Sequence, residues 1–332
     1  MESSSRYEKR VKRVTKFALS GLMWRAMLGF WAEERDGRVI VRCLADYEPL
    51  MSQAMELMAK ETRFTCHLPL GDIFQRHSRL IVAINHGSPL SWLPAVALLA
   101  TNACARGGGS RVPLGVMDRA FFHIPIVKEL ARMLTQTEQP ITFEELAQRF
   151  SERGDIDLVV FPEGSNCFFG RPDEIQEFRS PKFVELAIRT GAPILICAHY
   201  GSEKWAWPIK VPGELVDHLK VLPQVVYDFL EKRIRQKGLF ALPLPPLPME
   251  KFVMRAELYH PRLKERDLSQ DPVVRKMQIS QEAERVRAKM REMHERLKAG
   301  DWESPIEPLA EEEYSAPRPR REPVLHEHVI TG

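Results

Sequence analysis

The chain has 332 residues, of which 44% are hydrophobic and 28% are charged, so it carries enough apolar material for a sizeable core and is not disordered throughout. Its 48 Lys and Arg against 45 Asp and Glu give a formal net charge of +3, which excludes a polyanion binder that works through overall charge. The 5 cysteines form no C-x-x-C or Cys/His cluster, so we expect a reducing compartment, no disulfide framework and no metal site.

The first predicted element is a basic and aromatic N-terminal segment. Six basic residues lie between Arg6 and Lys16, and two short apolar runs follow, Phe17–Trp24 and Ala26–Trp31, separated by Arg25. Each run is too short to span a bilayer, and Arg25 with no small-residue cleavage site after it argues against a signal peptide. The pattern fits an amphipathic helix on an anionic membrane surface and equally a helix packed on the protein's own core.

The middle of the chain alternates apolar strands with helices. The predicted strands are Arg79–Ile84, Val112–Met117, Ile156–Phe161, Pro193–Ala198 and Phe252–Tyr259, and the predicted helices are Tyr47–Ala59, Ser91–Ala103, Ile126–Leu134, Phe143–Arg153, Pro181–Arg189, Val216–Lys237 and Val273–Leu297. This alternation predicts an α/β fold with a mostly parallel central sheet flanked by helices, together with N-terminal amphipathic helices.

The longest uncharged stretch, Leu80–Ala105, has a length that could cross a bilayer. Its centre, Asn85 to Pro89, is polar and contains proline, and such a cluster would leave backbone groups unsatisfied in lipid. The stretch therefore predicts a buried strand, a polar loop and a helix.

Composition divides the chain into three predicted parts. Residues 1–60 form N-terminal helices and a possible membrane-surface anchor, residues 61–298 form the α/β domain, and residues 299–332 form a disordered tail rich in Pro, Arg and Glu. Within the second part, Trp205 to Pro208 form an aromatic patch, and the proline-rich run Leu242–Pro248 predicts a stiff connector.

Two short polar blocks follow predicted buried strands. Residues 85–91 read N-H-G-S-P-L-S and residues 161–166 read F-P-E-G-S-N, with His86 and Glu163 77 residues apart. Because sites form at the carboxyl edge of a parallel sheet, we expect the two blocks to meet there. A neutral imidazole with a pKa of about 6.5 is suited to deprotonating a hydroxyl, which makes His86 a candidate general base.

These blocks resemble those of the phospholipid/glycerol acyltransferases, and within that family the branch of diacylglycerol acyltransferases. The family's first block reads N-H-x-x-x-x-D, matched here by Asn85 and His86 with Ser91 at the acid position. Its second reads F-P-E-G or F-P-G-G followed by Thr or Ser, matched by Phe161 to Ser165. With the segment Met117–Pro125 and the residues after the second block, the resemblance covers roughly residues 75–205.

The resemblance implies a glycerol-phosphate-acyltransferase-like fold and transfer of a fatty acyl group from acyl-CoA or acyl carrier protein to a hydroxyl of a lipid-like acceptor. It implies no cofactor beyond that co-substrate, an anionic membrane surface as a partner, no nucleic acid, and a cytoplasmic, peripheral position on the inner face of the membrane. The implied catalytic residues are His86 and Ser91. The implied substrate-binding residues are Arg119, Phe161, Pro162, Glu163, Gly164 and Ser165.

The chain departs from the family pattern at two places. Ser91 accepts a hydrogen bond but brings no charge, so Asp118 or Glu163 would have to supply a carboxylate. Asn166 stands where phospholipid-making members carry an arginine, which favours a neutral or unusual acceptor. Two alternatives therefore stay open. One is a relative that keeps a lipid groove for binding alone, and the other is a hydrolase using Ser88 or Ser165, although no G-x-S-x-G elbow is present.

Overall fold

The computed structural model describes residues 41–60, 62–87, 90–123, 127–221, 224–244 and 249–301. The basic N-terminal segment, Ser88 and the tail beyond residue 301 lie outside the described residues, so what the sequence predicts for them stays a prediction. The chain divides into a unit of residues 1–302 and a unit of residues 303–332, and every described residue belongs to the first. The finer three-part division also stays a prediction.

The described residues form an α/β structure with eight α-helices and eight strands. The helices are α1 (Leu44–Ala59), α2 (Leu70–Arg76), α3 (Trp92–Ala103), α4 (Val127–Thr135), α5 (Phe143–Glu152), α6 (Lys182–Thr190), α7 (Gln224–Lys237) and α8 (Pro272–Ala299). The strands are β1 (Arg63–His67), β2 (Ile81–Ile84), β3 (Val112–Gly115), β4 (Ile156–Val160), β5 (Ile194–Tyr200), β6 (Ala206–Lys210), β7 (Leu239–Pro243) and β8 (Lys251–Tyr259).

Six of the strands form the central sheet, in the order β1-β8-β5-β2-β4-β3. All neighbouring strands in it run parallel except β5 and β8, which are antiparallel. The predicted α/β fold with a mostly parallel central sheet is therefore confirmed. Strands β6 and β7 pair antiparallel in a separate two-stranded sheet.

The central sheet is apolar on both faces because helices cover both. Alternate residues of β2 point to opposite faces, so Ile81 and Ala83 join one core cluster while Val82 and Ile84 join the other. The first cluster includes residues of α5, α6 and α8, and we call this side the α8 face. The second includes residues of α2 and α3 with α1 packed against it, and we call this side the α3 face.

The helix ends follow local sequence signals. Thr142 caps α5 in a reciprocal capping box with Glu145, and Asp271 accepts hydrogen bonds from the first turn of α8. Gly191 ends α6 in the left-handed conformation with φ of 66°, which a residue without a side chain adopts without strain. Local capping chemistry thus sets the boundaries that the sequence predicted to within a few residues.

Two predictions about the second half of the chain are wrong in detail. The start of the predicted connector Leu242–Pro248 belongs to strand β7, and the aromatic patch contributes to β6, where prolines are tolerated because neither strand sits inside a larger sheet. The predicted helix Val216–Lys237 is a 3₁₀ segment, Gly213–Val221, followed by α7. In the sequence, Pro223 lies between these two segments.

Within the described part of the chain, no helix is both long and apolar enough to cross a bilayer. The longest helix, α8, has 28 residues and carries charged side chains along its length.

Candidate functional site

The histidine block begins where β2 ends, and the side chain of Asn85 continues the strand pairing there. Its Oδ1 accepts a hydrogen bond from the backbone N–H of His199 at 2.8 Å, and its Nδ2 donates to the His199 carbonyl at 3.2 Å. The Asn85 amide thus replaces a further residue pair of the β2–β5 ladder. This fixes the backbone just before His86 at the carboxyl edge of the sheet.

His86 lies on the α3 face and contacts the second block. It is buried, and its ring meets the ring of Phe161 edge to face, with 5.0 Å between the centroids. The indole of Trp92, the first residue of α3, lies 6.0 Å from the same phenyl ring. The expectation that the two blocks meet at one edge of the sheet is therefore confirmed by direct contact between His86 and Phe161.

The second block forms a tight turn after β4. The N–H of Gly164 donates to the carbonyl of Phe161 at 2.8 Å, and the N–H of Asn166 donates to the carbonyl of Glu163 at 3.0 Å. Gly164 adopts a φ of 50°, in the left-handed region that favours glycine. A Cβ at Gly164 would also press on Arg179, at 3.3 Å from its Cδ, so this turn needs glycine for both reasons.

The carboxylate of Glu163 ties the two blocks together. It is fully buried, and its two oxygens accept hydrogen bonds from the backbone N–H groups of His86 and Gln176, each at 2.8 Å. Burial raises the pKa of Glu163 to about 7, against the opposing effect of these two hydrogen bonds. The role of Glu163 in substrate binding stays a prediction, and its carboxylate holds the backbone of the candidate base.

His199 is a second histidine at this edge that the sequence did not predict. Its Nε2 lies 2.9 Å from the backbone carbonyl of Asn85, and because a carbonyl only accepts, the neutral ring carries its proton on Nε2. Burial, with the nearby charges of His294 and His86, lowers the pKa of His199 to about 3. A ring held neutral and hydrogen-bonded to the Asn85 turn serves to position the histidine block.

Ser91 lies at the start of α3 and is fully buried. Its carbonyl accepts a hydrogen bond from the hydroxyl of Ser202 at 3.1 Å, and that hydroxyl lies 3.4 Å from Nδ1 of His199. The residue at the family's acid position is thus a buried neutral side chain, and its backbone is linked to the loop after β5.

Two arginines that the sequence did not predict converge on the second block. Arg179 donates to the hydroxyl of Ser165 at 2.7 Å, and Arg233 of α7 donates to the same oxygen. Arg179 also pairs with the carboxylate of Asp118. Burial, together with the neighbouring charge of Arg179, lowers the pKa of Arg233, as expected when two guanidinium groups crowd one oxygen. Arg119, predicted to contact a phosphate, is exposed at the start of a 3₁₀ segment.

An apolar cavity of about 120 Å³ lies on the α3 face, beside the contact between the two blocks. Its walls come from α1, α3 and the sheet, and include Tyr47, Met51, Val96, Ala100, Val159 and Phe161. Asp157 also lines it, but both of its carboxylate oxygens are engaged by the buried guanidinium of Arg111 at 2.5 Å. For scale, an apolar cavity of about 150 Å³ stays dry and admits a benzene-sized ligand.

Of the predicted site residues, His86, Phe161 and Glu163 come together, and Ser165 meets the two arginines. Pro162 takes part through its carbonyl, which accepts a hydrogen bond from the N–H of Arg179 at 2.8 Å. The signals that sequence reasoning missed were weak, since His199 is a single polar residue ending an apolar strand and Arg233 is one of several basic residues on a charged helix.

No family model matches the chain, and no curated protein matches it. Among the described residues, no group of three or more His, Cys, Asp and Glu side chains is placed to hold a metal ion.

Proposed function

We propose that this chain is an O-acyltransferase that moves a fatty acyl group from acyl-CoA or an acyl carrier protein to a hydroxyl of a lipid-like acceptor. The fold proposed for residues 61–298 is that of the glycerol-phosphate acyltransferases, which the two polar blocks resemble. The observation that carries the proposal is the position of Phe161, which lines the apolar cavity and also contacts the ring of His86. A histidine thereby adjoins a pocket suited to an aliphatic chain.

In this proposal the cavity holds part of the acyl chain. Its lining is almost wholly hydrocarbon, and burying a methylene group in such surroundings is worth about 0.8 kcal/mol. A thioester at the mouth of the cavity would then place its carbonyl carbon near the contact between His86 and Phe161. Binding energy from the chain would position the reacting group.

The chemistry requires one proton acceptor. The imidazole of His86 takes the proton of the acceptor hydroxyl while its oxygen attacks the thioester carbonyl carbon. The carbon–sulfur bond then breaks, and the imidazolium returns the proton to the leaving thiolate. Glu163 and His199 are positioning residues in this scheme, because they hydrogen-bond the N–H and the C=O of the peptide bond between Asn85 and His86.

Arg179 and Arg233 supply positive charge on the other side of the second block. Both guanidinium groups donate to the Ser165 hydroxyl, and the carboxylate of Asp118 lies beside Arg179. Arginine pairs well with phosphate oxygens, so we assign this cluster to a phosphate of the acyl donor or of the acceptor. In this proposal Arg179 and Arg233 make the phosphate contact that the sequence predicted for Arg119.

We place the protein in the cytoplasm, peripheral on the inner face of the membrane. Its lipid-like acceptor resides there, and the basic N-terminal segment would bind anionic headgroups. This position is part of the proposal, as is the anchor in residues 1–60.

One observation favours a second candidate, a relative that binds acyl lipids without transferring them. Ser91 is fully buried and neutral where the family has an acid, and loss of the orienting acid in a serine-protease triad lowers turnover about 10⁴-fold. The experiment must therefore separate an enzyme from a binding protein that keeps its pocket.

The test gives purified full-length protein radiolabelled acyl-CoA with a panel of lipid hydroxyl acceptors. The wild-type chain is expected to form acylated product and the His86→Ala variant to form none. Transfer that survives in His86→Ala refutes the proposed base. Transfer seen only in a Ser91→Asp variant supports the binding relative and a decayed site.

A reaction without acceptor is the matching control. Release of free fatty acid from acyl-CoA at the same rate with and without acceptor would favour a hydrolase, with Ser165 as the nucleophile to examine. Binding of acyl-CoA to the wild-type chain is measured separately by isothermal titration. Tight binding without turnover again supports the second candidate.

A further inference from the structure

Strands β6 and β7, residues 206–210 and 239–243, form a two-stranded sheet apart from the central one, which we call the β arm. In its register Trp207 lies opposite Leu242. The two side chains are 61% and 39% exposed, although each is large and hydrophobic. Side chains opposite one another in a strand pair project from the same face, so they form one apolar patch.

The charged residues of the β arm and its flanking residues are mostly basic. The segments 203–210 and 237–244 contain three lysines, Lys204, Lys210 and Lys237, and one acidic residue, Glu203. All three lysines are exposed. The patch thus combines an aromatic and an aliphatic side chain with a basic surround.

The β arm is fixed to the candidate site. On the face that carries Trp207 and Leu242, Phe240 stacks on Phe168 with 6.3 Å between ring centroids and packs on Phe169 at 6.0 Å. Phe168 ends the 3₁₀ turn that begins at Gly164. The exposed end of the arm is therefore joined to the second block through packed aromatic rings.

We propose that the β arm is a membrane-contact surface, with Trp207 and Leu242 entering the headgroup boundary of an anionic bilayer and the lysines contacting lipid phosphates. Trp suits this boundary because its ring is apolar and its N–H is polar. Lysines near an anionic leaflet each contribute attraction, and apolar side chains add burial. The inference extends the proposed function, because it would bring the acyl-transfer site to the surface where a lipid acceptor resides.

Charge decides between a bilayer and a second copy of the chain. Two β arms packed on each other through Trp207 would bring the exposed lysines of both copies together, which like-charge repulsion opposes. An anionic bilayer meets the same lysines with opposite charge. The apolar patch and its surround are therefore complementary to a lipid surface.

The test is co-sedimentation of the full-length protein with vesicles of phosphatidylcholine, alone or mixed with phosphatidylglycerol. The double variant Trp207→Ala with Leu242→Ala is expected to lose about tenfold in partition onto mixed vesicles. The double variant Lys204→Glu with Lys210→Glu is expected to lose affinity for mixed vesicles only. The matched control is the double variant Val273→Ala with Met277→Ala, whose side chains on α8 are 77% and 53% exposed in the wild type. This control is expected to bind vesicles as the wild type does.

A second readout reports the depth of Trp207 directly. Vesicles with brominated acyl chains should quench tryptophan fluorescence in the wild-type chain more than in Trp207→Phe. Equal quenching in the two proteins overturns the proposal, as does wild-type partition of either double variant or an equal loss in the α8 control. If the double variant Trp207→Ala with Leu242→Ala loses self-association in sedimentation velocity but binds vesicles as the wild type does, the patch contacts a second copy of the chain instead.

Neither readout needs turnover, so this inference and the proposed function fail separately. A chain that binds mixed vesicles through the β arm but transfers no acyl group would support the membrane contact and contradict the enzyme.

Discussion

The two faces of the central sheet are built from the same strands, but the side chains that cover them are arranged differently. On the α8 face, side chains of α5, α6 and α8 fill the space against Ile81, Ala83 and Leu158 with closely packed hydrocarbon. On the α3 face, the alternate residues Val82, Ile84 and Val159 line a cavity of about 120 Å³. Cores are normally packed to the density of organic crystals, and in the proposed function the cavity on the α3 face receives the ligand.

The faces also differ at their carboxyl edge. Both hold a buried histidine, His86 on the α3 face and His294 of α8 beside Tyr200 on the other. His86 contacts the cavity wall through Phe161, whereas burial lowers the pKa of His294 to about 4 within a packed helix interface. In the proposed function the α3 face carries the chemistry and the α8 face contributes stability, and paired substitutions test that proposal.

The largest expected effect comes from the two histidines. His86→Ala should lower the rate of acyl transfer by about 10²–10⁴-fold, the usual contribution of a general base. His294→Ala should leave the rate per folded molecule unchanged, because that ring lies away from the cavity. Initial rates, normalised to the folded fraction by circular dichroism, provide the measurement. Equal losses in the two variants would break the distinction between the faces.

Next in size is the pH dependence that Glu163 confers on folding. Its pKa is raised from 4.5 to about 7 in the folded protein, so the folded state holds a proton that the unfolded state releases. The contribution of Glu163 to stability therefore falls as pH rises from about 4.5 to about 7, by about 3 kcal/mol, and changes little above that. Urea unfolding of the wild type and of Glu163→Gln across this range measures the difference between them.

Glu163→Gln should also lower the transfer rate. A glutamine side chain places a donating amide NH2 group where one carboxylate oxygen accepted a backbone N–H, so either His86 or Gln176 loses its partner. Glu282→Gln is the matched variant on the α8 face, where a fully buried carboxylate accepts from Tyr259 and from the backbone of Arg262. A parallel pH slope in the wild type and Glu163→Gln would contradict the account of Glu163.

A smaller effect is expected from the arginines around Ser165. Arg179→Ala and Arg233→Ala should each raise the KM for the phosphate-bearing substrate roughly 10- to 100-fold, since hydrogen bonds to charged groups are worth about 1.5–3 kcal/mol. Arg275→Ala, which removes an arginine that pairs with Glu185 and Glu265 on the α8 face, serves as control. Steady-state kinetics would show whether KM moves alone, and an unchanged KM in both site variants removes the phosphate assignment.

The smallest effect contrasts packing on the two faces. Ala187 of α6 is fully buried in the filled α8 face, so Ala187→Leu should destabilise folding by about 1–3 kcal/mol through overpacking. Ala100 of α3 lines the cavity, so the same enlargement, Ala100→Leu, has space and should lose less stability. Urea unfolding measures the loss of stability in both variants. Equal losses would mean that the cavity is not available to a side chain.

The sequence predicted the parts of the fold whose signals are local. Strand β2 is a continuous apolar run, and β4 and β5 are mostly apolar, because both faces of the sheet are covered, and the alternating helices follow from their periodicity. Strand β1 was missed because it is short, largely exposed and paired with β8, nearly 190 residues further along the chain. Pairing between strands that far apart in the chain cannot be recognised from the local pattern of polar and apolar residues.

The candidate site divides in the same way. The meeting of His86 with Phe161 follows from two parallel strands that end at one edge, and was predicted. The bond from the backbone of His199 to Asn85 spans 114 residues, and that from Arg233 to Ser165 spans 68. Neither depends on a motif, since each follows from how β5 and α7 pack in the folded chain.

The most direct test of the account compares acyl-chain selectivity in the wild type and in Ala100→Leu. Transfer to one acceptor is measured from a long-chain and a medium-chain acyl-CoA, with Ala187→Leu as the control for stability. If the α3 face holds the acyl chain beside His86, Ala100→Leu should lose long-chain transfer while keeping medium-chain transfer, and Ala187→Leu should keep the wild-type ratio. No transfer by the wild type, or an unchanged ratio in Ala100→Leu, would contradict the account.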